Sequence, residues 1–299
     1  MKKTLIALIA LGGAAMATDL TVLNGVPYEL GISTNEVDHL LFGSEDDLTG
    51  TYTTVVKAGY ENRLWSIMRD KSNAVGTINF SLEDNATAST KHDAGNMNWN
   101  AENIILTLGD GATMTFGNSL NMKYAGQQAL TITLGENSTL TFGGRASLGI
   151  DSTSSHQALT LNFGAGSQIS ASQQVISFGD TMQNAASSIT ITAQLSDDEM
   201  SQVMNAATGT IIERTLITSS SIDHLLDCGG VVTGSVEQLS ALGMQSVGIV
   251  TDAANIGINQ YGFVKDGGNL KLYINTPEPA TATLSLLALA GLAARRRRH

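Results

Sequence analysis

Leu106-Thr107-Leu108-Gly109-Asp110-Gly111-Ala112-Thr113-Met114-Thr115-Phe116 is echoed 26 residues later by Ile132-Thr133-Leu134-Gly135-Glu136-Asn137-Ser138-Thr139-Leu140-Thr141-Phe142. In both halves of each copy an apolar residue alternates with threonine, the period of two that sends one set of side chains to one face of a strand. Leu130, Ile132, Leu134, Leu140 and Phe142 are therefore expected to face inward, and Thr131, Thr133 and Thr141 outward. Gly109-Asp110-Gly111 and Gly135-Glu136-Asn137 separate the halves with residues that tolerate the positive φ of a tight bend. A strand, a bend and a second strand cannot bury an apolar face alone. Repeated with a period in the twenties, such units coil into a parallel β-solenoid whose inward residues stack in continuous rows.

Weaker copies flank the two strong ones, around Ile78-Asn79-Phe80-Ser81-Leu82, Leu161-Asn162-Phe163 and Ile189-Thr190-Ile191-Thr192. Anchored on Leu82, Leu108, Leu134, Phe163 and Ile191, the steps are 26, 26, 29 and 28. The chain holds 31 glycines, and Pro27 stands alone among its 3 prolines in lying outside a C-terminal motif; proline-poor, turn-rich strands suit uninterrupted ladders. The expected class is all-β, a parallel β-solenoid over 75–195 with short capping helices. A β-sandwich is the alternative, although it does not require a near-constant step. The repeats resemble the passenger regions of autotransporter-type surface proteins.

Outside 75–195 the pattern changes. Ser196-Asp197-Asp198-Glu199 reads as a capping box ahead of Met200, Val203, Met204 and Ala207, apolar positions at helical spacing. A second helix is expected over Ser235 to Gly243, with Val236, Leu239 and Leu242 on one face. Strands over 210–217, 248–251 and 261–274, the last turned at Asp266-Gly267-Gly268-Asn269, complete a closing region, 196–275. Residues 18–74 are less regular and read as an N-terminal cap with strands.

Both ends of the chain read as addresses. Lys2 and Lys3, the apolar run Thr4 to Ala14 and the small-x-small site Ala15-Met16-Ala17 form a secretory signal peptide over 1–17. At the other end, 276–299, Pro277-Glu278-Pro279 precedes an uncharged apolar run, 280–294, and a basic block, 295–299, holding Arg295, Arg296, Arg297 and Arg298. Four adjacent guanidinium groups favour the cytoplasmic side of a membrane that the apolar run can enter as a transmembrane helix. Its 15 residues fall short of the about 20 that a stable span needs, which suits a transient stop in the inner membrane. The prolines keep the motif extended and accessible to a processing enzyme. This order of motif, apolar run and basic stop resembles the PEP-CTERM sorting signal of Gram-negative bacteria. The resemblance implies delivery by the secretion machinery, recognition by an exosortase-like enzyme, and release to the outer membrane surface or extracellular matrix.

Setting aside Lys2, Lys3 and Arg295–Arg298, the 16 basic residues fall to 10 against 27 acids, a formal charge near −17. Such a body is a poor partner for nucleic acid. The lone Cys228 cannot form an internal disulfide. Candidates for chemistry are few. His39, His92, His156 and His224 lack ligand spacing, although Val37-Asp38-His39-Leu40-Leu41 and Ile222-Asp223-His224-Leu225-Leu226 are locally alike. The bend acids Asp84, Asp110 and Glu136 recur at one place in successive copies and are expected to share one edge, where carboxylates could bind calcium or act on a polysaccharide, or simply make the turns. Basic partners are confined there to Lys91, Lys123 and Arg145. Trp65, Trp99, Tyr28, Tyr52, Tyr60 and Tyr124 could stack on sugar rings or fill the core. No catalytic, metal or cofactor site is expected. The reading is a non-enzymatic exported surface or matrix protein with a polysaccharide among its partners; the alternative is a carbohydrate-active β-solenoid enzyme or a polysaccharide-binding adhesin.

Overall fold

In the computed structural model, residues 18–31, 37–42, 50–60, 64–68, 75–91, 97–99, 101–122, 128–148, 157–178, 188–226 and 231–277 are described. Eight parallel strands make the first face: Tyr28–Leu30, Thr51–Val56, Val75–Leu82, Ala101–Leu108, Gln128–Leu134, Gln157–Phe163, Ser188–Ala193 and Val231–Ser235. Leu30, Val56, Leu82, Leu108, Leu134, Phe163 and Ala193 stand in one unbroken register, and every one of them is buried. Phe80, Leu106, Ile132, Leu161 and Ile191 form the next inward row. The protein is a parallel β-solenoid. No sandwich places successive sequence copies side by side in this way.

After each bend the chain enters a second face, through Thr87–Ser89, Thr113–Phe116, Thr139–Phe142, Gln168–Ser177 and Ile211–Asp223. Short third-face strands follow at Met97–Trp99, Leu120–Met122 and Ala146–Leu148, again parallel. At the N-terminal end a three-stranded parallel sheet of Thr18–Val22, Val37–Phe42 and Leu64–Met68 continues the stack, joined to it where Leu64 bridges Thr90. Trp99 ties the faces together. Its ring meets Phe42, Phe80 and Phe116 edge to face at centroid distances of 5.8, 5.9 and 5.8 Å, and its indole N–H donates to the Ile67 carbonyl at 2.9 Å.

The inward and outward residues of the two strong copies lie where the alternation puts them, with Leu130, Ile132, Leu134, Leu140 and Phe142 all buried. The last anchor differs: Phe163 pairs with Ala193, not Ile191, which sits beside Leu161. The final step is therefore 30 residues. A shift of two keeps the same side chains inward, so hydrophobic pattern alone cannot distinguish the registers. The coil also runs beyond 75–195, back to Tyr28–Leu30 and forward to Val231–Ser235, because the flanking strands keep the ladder; the bend itself recurs at Lys57–Tyr60, where Tyr60 N returns to the Lys57 carbonyl at 3.2 Å and Gly59 has φ +81°.

Helix α1, Asp197–Asn205, starts with the expected reciprocal box: Glu199 N donates to Ser196 Oγ at 3.1 Å and Ser196 N to Glu199 Oε2 at 2.8 Å. Val203 is buried and Met200 packs against the core. Met204, expected inward, is instead exposed, since the helix ends at Asn205 and only one narrow stripe meets the barrel. Helix α2, Glu237–Ala241, likewise buries Leu239 and its preceding Val236, whereas Leu242 is exposed. Among the described residues no helix is long and apolar enough to cross a membrane; 1–17 and 278–299 lie outside the described residues.

The C-terminal region closes the stack. Strand Gln245–Val250 runs parallel to Gln260–Asp266, which turns at Gly267 and Gly268 into the antiparallel partner Asn269–Asn275. Asn269–Asn275 pairs antiparallel with Ile211–Asp223. Gly234 occupies the inward position next to Ile191, and the Phe263 ring fills the space where a side chain would stand. The outward carbonyl of Gly234 accepts from Ser246 Oγ at 2.7 Å. The hydroxyl of Tyr261 lies 3.2 Å from Val236 N, which donates to it, and 2.8 Å from Ser240 Oγ.

Candidate functional site

The bends between first and second faces stack into one edge. Each is a four-residue turn whose last N–H returns to the carbonyl of the first: Ala86 to Glu83 at 3.0 Å, Ala112 to Gly109 at 3.1 Å, Ser138 to Gly135 at 3.3 Å and Ser167 to Gly164 at 3.2 Å. The third residue has positive φ, +58° at Asn85, +66° at Gly111, +55° at Asn137 and +67° at Gly166, which is why Asn and Gly alternate there. Adjoining turns are welded by Asn85 N to Asp110 O, Gly111 N to Glu136 O and Asn137 N to Ala165 O, each 2.7 Å.

Asp84, Asp110 and Glu136 consequently share one edge. Their order has a structural cause. Asp110 N donates to Asp84 Oδ1 at 3.0 Å, and Glu136 N donates to Asp110 Oδ1 at 2.7 Å, so each aspartate satisfies an N–H that the turn leaves without a ladder partner. Closeness is purchased with glycine: a Cβ on Gly135 would lie 2.6 Å from Asp110 Oδ1 and 2.7 Å from Asp110 N. Asp110→Ala is expected to cost about 1 kcal/mol, the net worth of one hydrogen bond, while Asp110→Asn keeps the acceptor and should unfold near the wild-type urea midpoint. The Asn variant also deletes the carboxylate without disturbing the coil, and so reports on any role in acid–base chemistry.

Charge continues along this edge. Lys57 Nζ lies 2.7 Å from Glu83 and 3.2 Å from Glu29. The hydrogen bond from Lys57 holds the Glu83 carboxyl below the usual glutamate range, and the hydrogen bonds to Glu83 and then Glu29 push Lys57 up. The contribution of Glu83 is present above the ordinary glutamate pKa and is lost as pH falls through its lowered value; exposure to solvent keeps it small. Farther along, Glu136, Ala165, Gln194, Ser196, Asp197 and Asp198 border an open groove of about 350 Å³. Behind it Arg214 reaches from the strand Ile211–Asp223 to the carbonyls of Gly164 at 2.5 Å, Ser167 at 3.1 Å and Gln194, with Glu199 3.8 Å from its Nε. Sequence reasoning passed over Arg214; its signal was a single guanidinium within a strand otherwise rich in Ile, Thr and Ser.

Other candidates scatter. His39 belongs to the N-terminal sheet, paired with Ser66, whereas His224 follows the strand Ile211–Asp223 at the far end with φ +62°; the fold does not bring them together. Trp99, Tyr52 and Tyr60 are buried and Tyr28 is half-buried, so these aromatics serve the core. Among the described residues no group of three or more His, Cys, Asp or Glu could hold a metal ion. His92, His156, Lys123, Tyr124, Cys228, the side chain of Trp65, and the address residues Ala15, Ala17, Glu278, Pro279 and Arg295–Arg298 lie outside the described residues.

Pro277 is described. It follows the closing strand Asn269–Asn275 and Thr276, which is pinned by Thr276 N to Thr210 O at 3.0 Å and by its hydroxyl to Ala207 O at 2.7 Å. Comparison with protein-family models, with curated proteins and with solved structures finds no match to this chain, so its function is argued from its own residues.

Proposed function

We propose that this is a non-enzymatic exported surface or extracellular-matrix protein, made as a precursor with a signal peptide over 1–17 and sorted through a PEP-CTERM-type tail over 276–299. One observation carries most weight in support. The solenoid is tied down through Thr276, and the Pro-Glu-Pro strip begins at the next residue. A processing enzyme that binds such a strip would meet it directly after the last anchored residue, and removing everything beyond Pro277 leaves every described core residue in place. Two of the bend acids support the same reading, since Asp84 and Asp110 each spend an oxygen on the backbone of the neighbouring coil.

Under this proposal Glu278→Ala leaves an uncut precursor in the inner membrane of the native host, read by fractionation and by intact mass of the recovered protein. Release of a wild-type-sized product from that variant would refute the sorting assignment.

A further inference from the structure

The outward side of the first face is a second kind of surface. Two rows run along it. One contains Thr131, Thr160, Thr190 and Thr233, the other Thr133, Asn162, Thr192 and Ser235, all in continuous parallel register. Rows two residues apart on a strand lie about 6.6 Å from each other, and successive coils about 4.8 Å. The polar groups are linked along the axis: Asn162 Nδ2 donates to Thr133 Oγ1 at 3.2 Å, and Thr192 Oγ1 to Asn162 Oδ1 at 2.7 Å. Thr233 and Thr190 hydroxyls stand 3.4 Å apart. These links fix side-chain rotamers before any ligand arrives, which lowers the ordering cost of binding.

Charge is the second observation. In a body with formal charge near −17, the seven strands from Thr51–Val56 to Val231–Ser235 contain one charged residue, Glu102. The acids stand at the bends, where Glu83, Asp84, Asp110 and Glu136 are exposed. A hydroxyl- and amide-bearing strip about 29 Å along the axis, with Glu102 its one acid and a negative edge beside it, matches a neutral hydroxyl-rich chain and repels a polyanion. The second face is a poorer candidate, because its strands are mostly short, its register shifts between Ala171 and Val175, and its last strand carries Glu213 and Arg214 and is paired with the closing hairpin.

We propose that the outward side of the first face binds a neutral polysaccharide, laid against the threonine rows. The inference rests on the reading of a matrix protein, which would meet such a glycan outside the cell. An ice lattice fits less well, since Asn162 and Ser235 interrupt the threonine grid and Ile105 stands beside Thr131 in its row.

Co-sedimentation of the purified full chain with microcrystalline cellulose, a neutral glucan, and with calcium alginate, a polyanion, tests this independently of tail processing. Wild type is expected to be retained by cellulose and not by alginate. The combined variant Thr131→Val, Thr160→Val, Thr190→Val keeps side-chain shape and should reduce retention at least tenfold, while Thr113→Val with Thr139→Val on the second face should match wild type. If the triple variant loses its cooperative melt, Thr190→Arg alone, which raises bulk and charge above the sheet, supplies the same reading. Wild type left in the cellulose supernatant, equal retention of the first-face variant, or equal binding to alginate would overturn the proposal. Shaping of ice crystals without cellulose retention would assign the face to ice instead, and self-association abolished by the triple variant, without retention, would assign it to a second copy.

Discussion

Trp99→Ala is expected to lower the free energy of unfolding by about 4 kcal/mol, the cost of emptying a large aromatic site. The residue is fully buried, and its neighbours come from different parts of the coil: Phe42 from the N-terminal sheet, Phe80 from the first face and Phe116 from the second. Each is held by a parallel ladder and cannot collapse inward without breaking backbone pairs, so the cavity should persist. The Ile67 carbonyl also loses its donor, which adds an unsatisfied group. Urea denaturation monitored by circular dichroism checks the value. Trp99→Phe, which restores ring packing but not the N–H, should recover more than half of the loss. A change below about 1 kcal/mol, the typical effect of an arbitrary substitution, would show that the faces are not joined through this ring.

Arg214→Met should cost about 3 kcal/mol, within the range for breaking a buried charged network by removing one partner. Its side chain is only 9 % exposed, and burial pulls the guanidinium below its ordinary value while Glu199 raises it. Three carbonyls belonging to two successive coils, at Gly164, Ser167 and Gln194, depend on its planar fork. Methionine fills much of the volume but donates nothing. Arg214→Lys should recover less than half of the loss, because one ammonium cannot span the same acceptors. Thermal melting gives the magnitude, and limited proteolysis should show earlier cleavage near α1, whose Glu199 loses its cation.

The strong copies made the coil legible because bend chemistry and alternation agree there. Gly109 and Gly135 precede an acid for a reason visible afterwards: the acid below needs the room. The capping box at Ser196 and the hairpin at Gly267 and Gly268 were legible for the same reason, each being a local motif with its own hydrogen bonds. Coil length was legible through Phe163 and missed only at the last step, where Phe163 pairs with Ala193. From Leu134 to Phe163 the three additional residues fall between the strand ending at Leu148 and the one beginning at Gln157, compared with the interval from Met122 to Gln128, so the added length leaves the bend untouched. Thr54 shows why the N-terminal coils escaped notice. It occupies the inward row of Phe80 and Leu106, fully buried, and a threonine there reads as an outward residue. Arg214 had no local partner to announce it, since its acceptors lie 20 to 50 residues away. The shared edge of Asp84, Asp110 and Glu136 was foreseeable from spacing; that Asp84 and Asp110 each accept a main-chain N–H from the next coil was not, because it requires the third dimension.

A stack of parallel coils is its own template: any uncovered final strand invites another to add, and nothing in the repeat sets a length. Here the ring of Phe263 takes the place a further core residue would extend from above Gly234, and the second face passes into the hairpin of Gln260–Asp266 and Asn269–Asn275, with Gln245–Val250 outermost, instead of into another coil. The first face thereby carries a built-in stop against fibrous growth at its C-terminal end, made from a missing side chain at Gly234 and the ring that fills its place.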